Sequence, residues 1–190
     1  MNVVNPAIRF TYDDYQSLPE SMEKRYELLD GEIKMVPAPT TRHQFISRNL
    51  EFILHAFVKQ HALGELLYAP VDVVFGAGDE REVAQPDIIF IRRDRRAIIA
   101  EAEVQGPPDL IVEVLSPGTE ARDRGYKMHL YGRYGVQEYW IVDPTAETLR
   151  QLRIVEGRYR CVCQCGKEDR FVSSLFSGLT IDLYDVFQID

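Results

Sequence analysis

The stretch Pro108-Asp109-Leu110-Ile111-Val112-Glu113-Val114-Leu115-Ser116-Pro117 constrains this chain more than any other. Prolines bound it, and the residues between them are apolar at odd and even positions alike. A strand with two apolar faces belongs in the middle of a sheet covered on both sides. Glu113 breaks that pattern. A carboxylate buried without a partner costs several kcal/mol or takes up a proton. Glu113 is therefore either paired with a base or set in a cleft where a cation or substrate meets it.

The rest of the chain narrows the choice. Its 190 residues suffice for one domain with a sizeable core. No apolar run approaches the roughly 20 residues that span a bilayer, so no membrane partner is expected. Met1 to Pro6 lack the basic region and apolar core of a signal peptide, and the expected location is the cytoplasm. The net charge of −8 argues against avid, non-specific coating of nucleic acid, which draws its affinity from Lys and Arg on phosphates. It leaves room for a local basic groove, and it suits a site crowded with carboxylates that needs a cation. Cys161, Cys163 and Cys165 alternate along one strand face. Zinc sites commonly use a Cys-x2-Cys spacing with a second ligand pair, and an odd count at this spacing does not suit disulfides. They read as ordinary strand residues.

Taken in order, Phe10 to Leu18 read as a short helix capped by Thr11 and stopped by Pro19. Arg25 to Val36 read as a hairpin turning at Asp30-Gly31, with Glu27 in its first strand. A long helix is predicted from about Thr40 to His61, with Ile46, Leu50, Ile53, Leu54 and Phe57 inward and His43 on the same face in its first turn. Gly64 to Phe75 read as strand, broken at Pro70. Val83 to Ile91 read as one buried strand with Asp87 at its start. Arg92-Arg93-Asp94-Arg95-Arg96 is the one basic cluster, either a solvated turn or a phosphate contact at one end of a groove. After Pro117 a helix is predicted from about Thr119 to Tyr134, with Asp123 and Lys127 sharing a face, then a strand through Asp143. That strand–helix–strand order outlines a crossover joining parallel strands. A hairpin over Thr148 to Cys165 follows, and the packing of Leu179 to Phe187 is not assigned.

If the strands of Asp87 and Glu113 are neighbours, both carboxylates reach one point. Two such acids repel unless one is neutralised. Mg²⁺ or Mn²⁺ resolves the conflict, since hard cations take oxygen ligands, polarise a phosphoryl oxygen and activate water. Lys127 is placed to stabilise negative charge on a phosphate. The alternative is a plain buried ion pair of Glu113 with Arg122, Arg124 or Lys127.

Tyr26-Glu27-Leu28-Leu29-Asp30-Gly31-Glu32, Pro37-Ala38-Pro39 followed by His43, Gln85-Pro86-Asp87, the stretch around Glu113, Asp123 with Lys127, and Gly135 to Pro144 together resemble the Uma-type family of restriction endonucleases, of the PD-(D/E)XK nuclease-like superfamily. The resemblance covers most of residues 10 to 145. It implies an α+β fold, a restriction-endonuclease-like mixed β-sheet flanked by helices, in a single domain over 1–190 with a core of about 10–145 and a C-terminal β extension of about 146–190. It implies an endonuclease hydrolysing DNA phosphodiester bonds with Mg²⁺ or Mn²⁺, or a non-catalytic nucleic-acid-binding or assembly module that keeps the fold. By position, Asp87 and Glu113 correspond to the metal-binding acids, Lys127 to the catalytic lysine, Glu27 to an auxiliary acid and His43 to a polar contact at the site. The superfamily's usual lysine position is Leu115 here. A homodimer is expected, because single-domain nucleases pair to cut two strands.

Overall fold

The structure is a computed structural model that describes residues 9–19 and 25–189, so Met1 to Pro6 lie outside the described residues. The first helix, α1 (Tyr12–Gln16), starts where predicted: Thr11 Oγ1 accepts from Asp14 N and the Asp14 carboxylate accepts from Thr11 N, a reciprocal cap. The strands β1 (Arg25–Leu29) and β2 (Glu32–Val36) form the expected hairpin. Asp30 and Gly31 both adopt positive φ, as a tight hairpin turn between right-twisted strands demands.

The long helix α2 (Thr41–His61) is capped by Thr40, whose hydroxyl accepts from His43 N at 3.2 Å. Ile46, Leu50, Leu54 and Val58 form its buried stripe, with Ile53 and Phe57 only partly covered. Two strands follow, β3 (Gly64–Tyr68) and β4 (Asp72–Phe75), separated at Pro70 and assigned to different sheets. Gly64 lies so close to its neighbour that an added Cβ would stand 2.0 Å from the Ile91 carbonyl oxygen. Gly64→Ala should therefore lower stability by about 1–3 kcal/mol through a clash with backbone. A thermal melt superimposable on the parent's would refute this.

The single strand expected from Val83 to Ile91 is instead two: β5 (Glu82–Ala84) and β6 (Ile88–Arg92), in separate sheets. Pro86 has no N–H to give to a ladder and keeps Gln85 out of the helical region, so the chain leaves one sheet there and enters the next. Asp87 sits in that link. After β7 (Glu103–Gln105) comes β8 (Leu110–Val114), the fully buried strand the sequence required.

The helix expected from Thr119 to Tyr134 runs without a gap from Glu120 to Arg133: α3 (Glu120–Arg122) passes through a π turn over Asp123–Lys127 into α4 (Met128–Arg133). Gly125, a poor helix former, lies inside the widened turn. Such turns recur where a helix serves a site. This segment joins β8 to the parallel strand β9 (Glu138–Asp143), the predicted crossover. Then β10 (Thr148–Val155) and β11 (Arg158–Gly166) extend the same sheet. The register slips between Gln151 and Leu152, so Val162 has no partner while Cys161 faces Leu152 and Cys163 faces Gln151. The slip sets the cysteines at different depths: Cys161 is exposed and Cys165 buried. The chain closes with β12 (Arg170–Val172), β13 (Thr180–Asp182) and α5 (Leu183–Phe187). The previously unassigned end docks on α2, where Asn49 Nδ2 donates to the carbonyls of Asp185, Val186 and Gln188 at 3.1–3.2 Å.

The architecture is α+β. One sheet has the order β2-β1-β5-β4-β7; the other is mixed, in the order β11-β10-β9-β8-β6-β3. The two faces of β8 explain its composition. Leu110, Val112 and Val114 enter a core with α2, Trp140, Phe171 and Phe176. Ile111 and Leu115 enter a second core with Leu130, Tyr131 and Tyr139. By alternation Glu113 belongs to the second face, beneath the π turn. No helix among the described residues is long and apolar enough to cross a membrane.

Candidate active site

The strand that Asp87 immediately precedes and the strand that carries Glu113 are neighbours. β6 pairs antiparallel with β8, Ile88 opposite Val112, which sets Asp87 across from Glu113. Asp87 Oδ2 accepts from Val114 N at 2.8 Å and meets His43 Nε2 at 3.1 Å. His43 reaches it from the first turn of α2, held there by the Thr40 cap. Burial pulls the His43 pKa down, but the hydrogen bond and charge of Asp87 outweigh it and the net direction is up. His43 Nδ1 is buried without a partner.

Glu113 is 4 % exposed. Its Oε1 accepts from Lys127 Nζ at 2.9 Å and from Tyr131 OH at 2.7 Å. Lys127 Nζ also lies 2.7 Å from Glu27 Oε1 and 3.4 Å from Asp123 Oδ1. Glu27 is completely buried; its Oε1 takes a further hydrogen bond from Gln85 N, and its Oε2 faces Arg122 at 3.4 Å. The five residues singled out from the sequence thus occupy one connected neighbourhood: Asp87, Glu113, Lys127, Glu27 and His43.

Around Lys127 the acids in direct contact outnumber the bases. Three carboxylates, Glu27, Glu113 and Asp123, surround Lys127, with Arg122 as the second cation. Burial drives the Glu113 pKa well above the usual carboxyl value, Lys127 opposes it, and Asp123, Asp87 and Glu27 add to it. Burial also raises Asp123, again against Lys127. Burial alone would deprotonate Lys127, yet Glu113, Glu27 and Asp123 hold its pKa well above normal. The two opposite-looking shifts are compatible: the ammonium keeps its proton because several acids share it, and the surplus acid takes up a proton or needs another cation.

Each flagged acid spends one oxygen on these contacts. Asp87 Oδ1 and Glu113 Oε2 accept no hydrogen bond among the described residues. Both residues line a cavity of about 30 Å³, together with Arg25, His43, Arg122, Asp123 and Lys127. That space holds about one water or one ion. A second cavity of about 320 Å³ shares His43 and Asp87 with it and continues past Ser47 and Glu51. Among the described residues no three His, Cys, Asp or Glu side chains converge closely enough to hold a metal on their own. The donor set suits a hard cation that keeps part of its hydration, not a fully caged one.

Asp123 and Tyr131 are site residues that the sequence reading left outside the catalytic set. Asp123, Lys127 and Tyr131 are spaced four apart, so a stripe of helical period was the available signal. The Tyr131 hydroxyl was hidden because the residue also fills an apolar stripe. Arg122 entered only as an ion-pair alternative.

Comparison with known proteins agrees with this fold. The sequence pattern of the family Uma2, "Putative restriction endonuclease", matches residues 12–184. The "Uncharacterized protein slr1290" of Synechocystis is 28% identical over 144 residues, covering 74% of this chain and 72% of that protein. The crystal structure of "a putative nuclease belonging to DUF820" from Anabaena variabilis superimposes with a TM-score of 0.76 at 22% identity, covering 94% of this chain and 97% of that one. At that identity the likeness speaks for the fold.

Proposed function

Since the chain belongs to the Uma2 family, we propose that it is a divalent-cation-dependent endonuclease acting on DNA phosphodiester bonds. One observation carries the reading: in a buried cluster of carboxylates, an oxygen of Asp87 and an oxygen of Glu113 are left unspent beside the same small cavity. Those two residues would hold Mg²⁺ or Mn²⁺, with water completing its shell. The bound cation would supply a polarised phosphoryl oxygen and a more acidic water.

The protein's own side chains divide the remaining work. Water attacks phosphorus, a new P–O bond forms as the ester P–O bond breaks, and a proton goes to the leaving oxygen. Lys127 offers its ammonium to the charge that grows on the phosphate. Glu27 holds Lys127 at 2.7 Å and acts through it. His43 fixes Asp87 through the 3.1 Å contact. The cavity beyond His43 gives the strand a path to the site. Two copies, each with one such site, would serve the two strands of a duplex, and a cytoplasmic location fits that substrate and the free thiols.

Calorimetric titration with Mg²⁺ or Mn²⁺ should show one saturable site on the parent protein and none on Asp87→Asn. Equal binding by both proteins would sink the metal assignment. A second reading is favoured by one feature: Leu115 fills the usual lysine position with an apolar core side chain. In that reading the fold binds nucleic acid without turnover, which predicts DNA binding with no cleavage under any divalent cation.

A further inference from the structure

The basic cluster after β6 has a place in the fold that the active site does not use. Arg92 and Arg95 meet Arg153 of β10 around a cavity of about 470 Å³ at the opposite end of β8 from Glu113. The strand length from Asp109 to Glu113 puts the two ends about 13 Å apart. A cavity of this size is in the range of small-molecule sites, roughly 300–1,000 Å³.

Two buried acids sit under these arginines, and both are already satisfied. Asp109, 3 % exposed, accepts from Arg92 N at 2.9 Å and pairs with Arg95 Nη1 at 2.9 Å. Glu138, 2 % exposed, accepts from Trp140 Nε1, Gln151 Nε2, Ser173 Oγ and Ser174 Oγ at 2.9–3.0 Å. These donors leave little for the guanidinium groups of Arg92 and Arg153 to do. Arg92 Nε stays 3.9 Å from Asp109 and Arg153 Nε 3.7 Å from Glu138, both too far for a hydrogen bond. Among the described residues neither side chain makes any hydrogen bond. The acids hold Arg92 and Arg153 in place by charge and leave their N–H forks unspent, while Arg95 spends Nη1 on Asp109 and Nη2 on the Pro107 carbonyl at 2.7 Å.

We propose that this pocket binds a nucleoside 5′-phosphate, with the phosphate on Arg92 and Arg153 and the charge of Arg95 beside it. Planar guanidinium forks match phosphate oxygens two at a time. Three cations against two carboxylates make this a locally positive pocket on a chain of net charge −8. Tyr134, Ile154 and Leu175 supply the apolar wall a nucleoside needs. The phosphate comes either from a free nucleotide or from the 5′ end of a DNA strand, and the experiment separates the two.

The full chain, kept in EDTA so that no strand is cut, is titrated calorimetrically with dAMP, with deoxyadenosine, and with a short single strand carrying either a 5′-phosphate or a 5′-hydroxyl. Saturable binding of dAMP but not deoxyadenosine is expected, weakened about tenfold or more by Arg153→Gln and by Arg92→Gln, since a hydrogen bond to a charged group is lost in each. Binding of the 5′-phosphorylated strand but not of dAMP or the 5′-hydroxyl strand assigns the phosphate to a DNA end. No saturable binding of either phosphorylated probe overturns the proposal, as does binding that survives both substitutions. Because no divalent cation is present, failure here leaves the nuclease reading untouched.

Discussion

Glu113→Gln is expected to abolish Mg²⁺- or Mn²⁺-dependent cleavage of DNA and, at the same time, to make the protein more stable near neutral pH. The first effect follows from losing the charge that faces the small cavity, and a loss of at least about 100-fold is expected where electrostatic stabilisation of a transition state is removed. The second follows from the direction of the Glu113 pKa, which burial raises well above normal. A carboxyl whose folded pKa lies above its unfolded one contributes stability that is fully present below the unfolded value, about 4.3. That contribution is lost as the pH rises through the folded value. Gln imitates the protonated acid and escapes the loss. The variant's melting temperature should exceed the parent's at pH 7 without divalent cation, and the two should converge below pH ~4. Cleavage that persists in both Glu113→Gln and Asp87→Asn would refute the nuclease site. A variant less stable than the parent at pH 7 would refute the charge assignment.

Lys127→Met should have the opposite effect on stability, and a large one. The ammonium is 3 % exposed and touches Glu27, Glu113 and Asp123. Removing one partner of a buried ion pair leaves charge without compensation, and such changes cost about 3–5 kcal/mol. Met keeps most of the side-chain volume, so the loss reports charge more than cavity. The sign of the pH dependence checks the cause. Carboxylates left without Lys127 repel one another only while ionised, so the destabilisation should shrink as the pH falls and they take up protons. Urea unfolding at two pH values measures both quantities. A cost below about 1 kcal/mol, or one unchanged by pH, would show that the ammonium is not the keystone of the cluster.

How much of this was legible in the sequence depended on what each residue's neighbours were. Glu113 stood out because its setting is local: the four other residues of its strand are all apolar. The Asp30-Gly31 turn, the Thr11 cap and the inward stripe of α2 were readable for the same reason. The division of Val83 to Ile91 into two strands was not read, although Pro86 announced it, because a continuous apolar run looks the same whether it stays in one sheet or crosses between two. The π turn was also hidden. Its residues are ordinary helix formers apart from Gly125, and the widening answers to the buried ends of Asp123 and Lys127, which only tertiary packing defines. The arginines at Asp109 and Glu138 were half visible: the cluster at Arg92 to Arg96 was plain in the sequence, but Arg153 joins it from more than fifty residues away.

The link Gln85-Pro86-Asp87 carries a consequence for when the site comes into being. Glu27 belongs to one sheet, Glu113 to the other, and Asp87 to the short passage between them. Lys127 bridges Glu27 and Glu113 only when both sheets are in place. A nascent or partly unfolded chain therefore has the residues of the site but not the site. Under the proposed nuclease function, the chemistry would be gated by the docking of the two halves, and a damaged copy would fall silent rather than cut indiscriminately.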